Sequence, residues 1–272
     1  MTGSRRPSGS CRDRIAKLLL ERVVPFCRQA CRGEVQAGAH DVSRTRNPCG
    51  LQCGLTRPRT VPMTDRSARF WNRIAERYAR QPVADEASYR RKLDITRQYL
   101  RVDTDVFEFG CGTGSTALAH APHVHQIEAI DVSPKMIAIA RDKAAAAGIE
   151  NVRFICAGIA DFTPGNRPDV VLGLSILHLL PDRDDAIAKV YGLLKPGGRF
   201  VTSTACLADM PIHYRLLGVV LPLGALLGVL PTVRVFSEQE LADSLVASGF
   251  DIEHRWRPAR DKAAFIVARK PE

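Results

Sequence analysis

Three glycines at alternate positions, Gly110, Gly112 and Gly114, follow the run Val106-Phe107-Glu108-Phe109. An apolar strand that breaks into a tight glycine turn and then a helix opens a nucleotide-sized crevice in an α/β protein. Glycine accepts positive φ and lets a ligand approach the main chain where a Cβ would clash. A helix starting at Ser115 would aim its unpaired N–H groups at that crevice. Asp131 stands 21 residues after Gly110, at the end of the next apolar run. A carboxylate there accepts hydrogen bonds from both hydroxyls of an adenosine ribose. The competing reading makes Asp131 a helix cap ahead of Pro134. Val132, the next residue, is placed to pack on an adenine face. Ser175 and His178 follow a further apolar run. His178 is read as a general base, as a group holding a substrate oxygen, or as a structural imidazole bonded to backbone.

The elements that must position these residues alternate along the chain. The spacing predicts strands over 104–109, 126–130, 152–156, 169–173 and 199–204, and a terminal hairpin of 250–257 with 263–269. Phe70, Trp71, Ile74 and Tyr78 lie on one side of an amphipathic helix. Further helices are predicted over 86–100, 115–120, 136–147 and 184–194. Ser237-Glu238-Gln239-Glu240 reads as a capping box that opens the last helix. Strands alternating with helices argue for an α/β fold, a mostly parallel sheet with helices on both faces.

Charge and cysteine divide the chain. Of 39 Lys+Arg and 29 Asp+Glu, residues 1–62 hold 12 basic and 4 acidic, so the remainder is nearly neutral. A near-neutral folded part argues against a nucleic-acid substrate. Five cysteines fall in residues 1–62, Cys11, Cys27, Cys31, Cys49 and Cys53. Cys27/Cys31 and Cys49/Cys53 have three residues between them where zinc knuckles have two, so no metal site is expected. No continuous apolar secretory core is read in this Arg-rich segment, and reduced thiols in a cytoplasmic setting are expected. The segment is read as a tail, a transit peptide or sequence upstream of a start at Met63. The folded domain is therefore expected over 63–272.

Nucleotide binding itself has two forms. A dinucleotide enzyme wants G-x-G-x-x-G, but the sixth place counted from Gly110 is Ser115. The ordered set of pieces resembles the class I S-adenosylmethionine-dependent methyltransferases. Val106–Gly114 is similar to their first motif, with Glu108 at its acidic position. Ala129–Met136 is similar to the second, and Asp169–Leu172 with Ser175 and His178 to the motif of the fourth strand. Leu193–Phe200, containing Lys195-Pro196-Gly197-Gly198, is similar to the turn before the fifth. The resemblance implies a Rossmann-like seven-stranded sheet whose last strand is antiparallel.

It also implies site roles. Gly110, Cys111, Gly112 and Gly114 surround the methionine part of S-adenosyl-L-methionine, and Glu108 supports the loop or reaches the cofactor amine through water. Asp131 holds the ribose, while Val132 and Met136 line the adenine. The place of an adenine-binding acid is taken by Gly158 and Ile159, so either their backbone or Asp161 makes that contact. Tyr78 lies on the first helix, which closes over the cofactor in related enzymes. Ser175 and His178 are the candidate catalytic pair, with Ser175 also near the cofactor.

Leu216–Val233 carries no charge between Arg215 and Arg234. Its glycines and prolines disfavour a membrane-spanning helix, and a cap over the crevice at 206–233 is expected, with interfacial membrane contact as the alternative. An apolar cap suggests a small apolar acceptor. The expected function is a methyltransferase. A non-catalytic adenosylmethionine-binding sensor or adaptor and a nicotinamide-dependent oxidoreductase are the competitors.

Overall fold

The computed structural model describes residues 64–82, 85–211 and 233–272. Residues 1–62 and 212–232, which carry the expected extension and most of the expected cap, lie outside the described residues.

Strand β1 (Asp105–Phe109) is buried on both faces because helices cover both. It pairs in parallel with β2 (Gln126–Asp131) and β4 (Val170–Leu174). Beyond these, β3 (Val152–Cys156) joins β2 and β5 (Arg199–Thr204) joins β4, again in parallel. The last strand, β7 (Ala264–Arg269), runs antiparallel to both β5 and β6 (Asp251–Trp256). The sheet order is β3-β2-β1-β4-β5-β7-β6, so the chain winds one way from β1 and then restarts at β4. That reversal is a topological switch point. It leaves a crevice at the carboxyl ends of β1 and β4, where Gly110 and Ser175 follow their strands.

The helices are α1 (Thr64–Arg80), α2 (Glu86–Arg97), α3 (Ser115–His120), α4 (Pro134–Ala146), α5 (Arg183–Leu193) and α6 (Glu238–Ala247). Alternation along β1 splits the core. Val106 packs with Ala117, Leu118, Ile137 and Ala140 on one face. Phe107 and Phe109 pack with Ile187, Val190, Leu241 and Leu245 on the other. Helix α1 lies outside both layers and buries Phe70, Ile74, Ala75 and Tyr78 against Met136 of α4.

Helix α2 stops at Arg97, short of the expected 100, because Tyr99 and Leu100 turn their N–H groups to Thr96 and Arg97 carbonyls in 3-10 fashion. The capping box at Ser237 and Glu240 is formed at both ends. Among the described residues no helix is long and apolar enough to cross a membrane.

Candidate active site

The glycine turn is held by three residues with three different surroundings. Gly110, Gly112 and Gly114 all have positive φ, at 69°, 54° and 75°. A Cβ on Gly110 would stand 2.6 Å from Ile176 Cγ1, and one on Gly114 2.6 Å from Phe154 Cζ. Both are therefore needed for packing. Among the described residues, a Cβ on Gly112 would meet only Tyr78 Cε1, at 3.9 Å. Gly112 is thus the glycine whose main chain is open to a ligand. Tyr78 of α1 lies over it, and Cys111 is buried beside it.

Asp131, at the end of β2, reaches across to this turn. Its Oδ2 accepts the Gly112 N–H at 3.0 Å and its Oδ1 accepts the Ser133 N–H at 2.8 Å. Each oxygen keeps a lone pair for a further donor. Desolvation raises the carboxyl to about 6 against the pull of those two N–H donors. The capping reading of Asp131 fails, because Ser133 caps α4 by accepting the Met136 N–H at 3.1 Å.

Glu108 is 1% exposed. Burial first, and the Asp131 charge second, push its carboxyl up to about 8, against a hydrogen bond from the Ala117 N–H in the first turn of α3. Its Oε2 has no partner among the described residues. A neutral carboxyl with one open oxygen under the glycine turn suits an approaching cation, which would favour its ionised form.

A carboxyl raised from 4.5 to about 8 stabilises the fold at low pH and loses that contribution as pH climbs through 8. The Asp131 contribution is lost lower, near 6. His120 and His178, held down by burial at about 3 and about 4, act oppositely, adding stability only up to their ordinary value of 6.5. From pH 7 to 8.5 the Glu108 loss therefore stands alone, roughly 1 kcal/mol and about 2–4 °C in Tm. Thermal scans of the ligand-free protein should show that fall, and Glu108→Gln should flatten it. A flat wild-type profile would contradict the assignment.

Across the crevice, Ser175 has a φ of 57°, and among the described residues it is the only non-glycine in the left-handed region. Its N–H donates to the Ser203 carbonyl at 2.7 Å. Such strain concentrates at functional sites. His178 is buried in the 3-10 turn Leu177–Leu179, and its carbonyl accepts the Arg234 N–H at 2.8 Å. At about 4 its imidazole is neutral at pH 7 and a weak base.

Val132 and Gly158 flank the ends of β2 and β3, half-buried. Ile159 is buried with Phe107, Phe109 and Ile130, and Asp161 is exposed. Met136, expected along the adenine, is 1% exposed and turned under α1.

Sequence reasoning missed two polar residues. Asn72 of α1 accepts hydrogen bonds from Ser133 Oγ at 2.7 Å and the Lys135 N–H at 3.1 Å. Lys92 of α2 is buried and donates to Ser203 Oγ at 2.8 Å, which brings an amine to the end of β5 behind Ser175. The only sequence signal for Lys92 was its place between the buried Tyr89 and Leu93.

Residues 106–198 match the profile of a methyltransferase domain. The carboxy-S-adenosyl-L-methionine synthase of Shewanella sediminis is 33% identical over 116 residues, 40% of this chain and 48% of that protein. The chain spans about half the length of the curated relatives it matches. Among solved structures, the cyclase SpnF superposes with a TM-score of 0.62 at 21% identity, covering 77% of this chain and 97% of SpnF. The N-methyltransferase NodS of Bradyrhizobium japonicum, solved with S-adenosyl-L-homocysteine, gives 0.56 at 19%, covering 75% of this chain and all of NodS, 100%. At these identities the two structures establish the shared fold alone.

Proposed function

From a methyltransferase domain at residues 106–198, set in the class I Rossmann-like fold, we propose that this chain methylates a small, largely apolar acceptor with S-adenosyl-L-methionine. The observation that carries this reading is the Asp131 carboxylate, fixed by the Gly112 and Ser133 N–H groups at the mouth of the switch-point crevice. Two features fit the cofactor independently. The Gly112 main chain is open where an amino-acid end would lie, and Glu108 Oε2 is buried without a partner among the described residues, where a cation would be welcome.

In this reading Asp131 takes the ribose hydroxyls, and Val132 meets the adenine. The backbone of Gly158 and Ile159 faces its amine, with Met136 and Cys111 supporting from behind. Gly110 and Gly114 hold the turn in shape so that Gly112 can approach. The bound cofactor supplies a methyl group already activated on a sulfonium. Catalysis then rests on alignment of nucleophile and methyl at about 3–3.5 Å. Tyr78, Ser175 and His178 border the acceptor side, with neutral His178 receiving a hydrogen bond from the acceptor more readily than it removes a proton. The charge-free composition of Leu216–Val233 favours an apolar acceptor. This is also the segment through which a membrane-borne acceptor would be met. Cys156 and Cys206 are free thiols, which suits a cytoplasmic setting.

Transfer of labelled methyl from S-adenosylmethionine to a panel of apolar phenols, quinols and lipids, beside hydrophilic acids and amines, tests the reading. Turnover on apolar members is expected. Turnover on hydrophilic members alone would refute the acceptor class. Tight cofactor binding with no turnover anywhere would favour the sensor reading.

A further inference from the structure

We propose that Asn72 is a positioning residue of the cofactor site, holding the Asp131 loop through Ser133 and so coupling the docking of α1 to the grip on the ribose. The inference rests on the cofactor reading above and adds to it a residue from outside the sheet domain's motifs.

The donor and acceptor roles are fixed by elimination. The Lys135 N–H can only donate, so the Asn72 atom that faces it at 3.1 Å is the carboxamide oxygen. That same oxygen lies 2.7 Å from Ser133 Oγ, so the hydroxyl donates to it. The hydroxyl in turn accepts the Met136 N–H at 3.1 Å, which caps α4. The Ser133 backbone N–H then donates to Asp131 Oδ1 at 2.8 Å.

Ser133 is fully buried. Among the described residues its hydroxyl proton has one acceptor, and that acceptor comes from α1. Without it, a buried donor is left unmade or the hydroxyl rotates away from its cap, and either outcome displaces the residue that orients Asp131. Six residues further along α1, Tyr78 lies over Gly112, the other backbone donor to Asp131. One helix therefore touches both halves of the carboxylate's support.

Isothermal calorimetry of S-adenosylmethionine with the full chain tests this, using Asn72→Ala, Ser133→Ala, the double variant and Asn72→Asp. Loss of the buried bond is expected to weaken binding about tenfold in Asn72→Ala. Asn72 and Ser133 share one bond, so the loss in the double variant should fall short of the sum of the two single losses. Asn72→Asp keeps the acceptor but adds a charge near Asp131. It should therefore bind within about threefold of wild type at pH 8.5 and fall behind it as pH drops to 6.5. A structural role alone would give no such pH-dependent rescue. In the ligand-free protein, hydrogen exchange along α1 should quicken in Asn72→Ala. Wild-type-like affinity in Asn72→Ala, or additive losses in the double variant, would overturn the proposal while leaving the cofactor reading intact. Failure of the wild type itself to bind would overturn both.

Discussion

Gly114→Val is expected to remove about a third of the protein's folding stability. Gly114 sits at φ 75° at the start of α3. A side chain in that region costs about 1–2 kcal/mol, more for a β-branched one. Its Cβ would also stand 2.6 Å from Phe154 Cζ and 2.9 Å from the Ala140 Cβ. Both neighbours are buried, one in β3 and one in α4, so neither can swing into solvent. Overpacking of this kind costs about 1–3 kcal/mol. Together these remove roughly 2–5 kcal/mol from a typical total of about 5–15. Gly148→Val is the control, because Gly148 has φ 62° with nothing within 4 Å of a Cβ. Urea melts should show a much lower midpoint for Gly114→Val than for Gly148→Val. Equal midpoints would mean that the turn is not packed as described.

Asp131→Ala should leave the fold largely standing and empty the site. It removes the acceptor of the Gly112 and Ser133 N–H groups and, in the proposed reading, of two ribose hydroxyls. The expected loss in S-adenosylmethionine affinity is about 1–3 kcal/mol, roughly 5–150-fold. Asp131→Asn should do nearly as badly. Both native oxygens face backbone donors, so an amide must turn its NH2 group toward one of them. Calorimetry on both variants checks this. Preserved affinity in Asp131→Asn would show that one oxygen, not two, carries the contact.

The sheet was legible because its central strands are mainly apolar runs, while β6 alternates exposed and half-buried residues. β3 and β5 fall over the expected residues, and β1, β2 and β4 within one of their expected ends. The glycine turn and Asp131 were legible because their chemistry depends on residue type and spacing along one stretch. The division of labour among the glycines was not. Whether a missing Cβ makes room for Ile176, for Phe154 or for a ligand depends on residues far away in the chain. Asn72 was invisible for the same reason, since its partner Ser133 lies 61 residues on. Lys92 was hidden because a lysine on a helix reads as solvated, while here it is 4% exposed and bonded to Ser203. The capping reading of Asp131 competed because Ser133 and Asp131 are both good caps, and only the fold chooses between them.

The most direct measurement is a crystal structure of the full chain grown with S-adenosylhomocysteine. The account predicts the two ribose hydroxyls on the Asp131 carboxylate, the amino-acid end along the Gly112 main chain, and a cationic amine toward Glu108. An adenosine bound away from Asp131, or a crevice that takes a nicotinamide dinucleotide and leaves this ligand out, would contradict it.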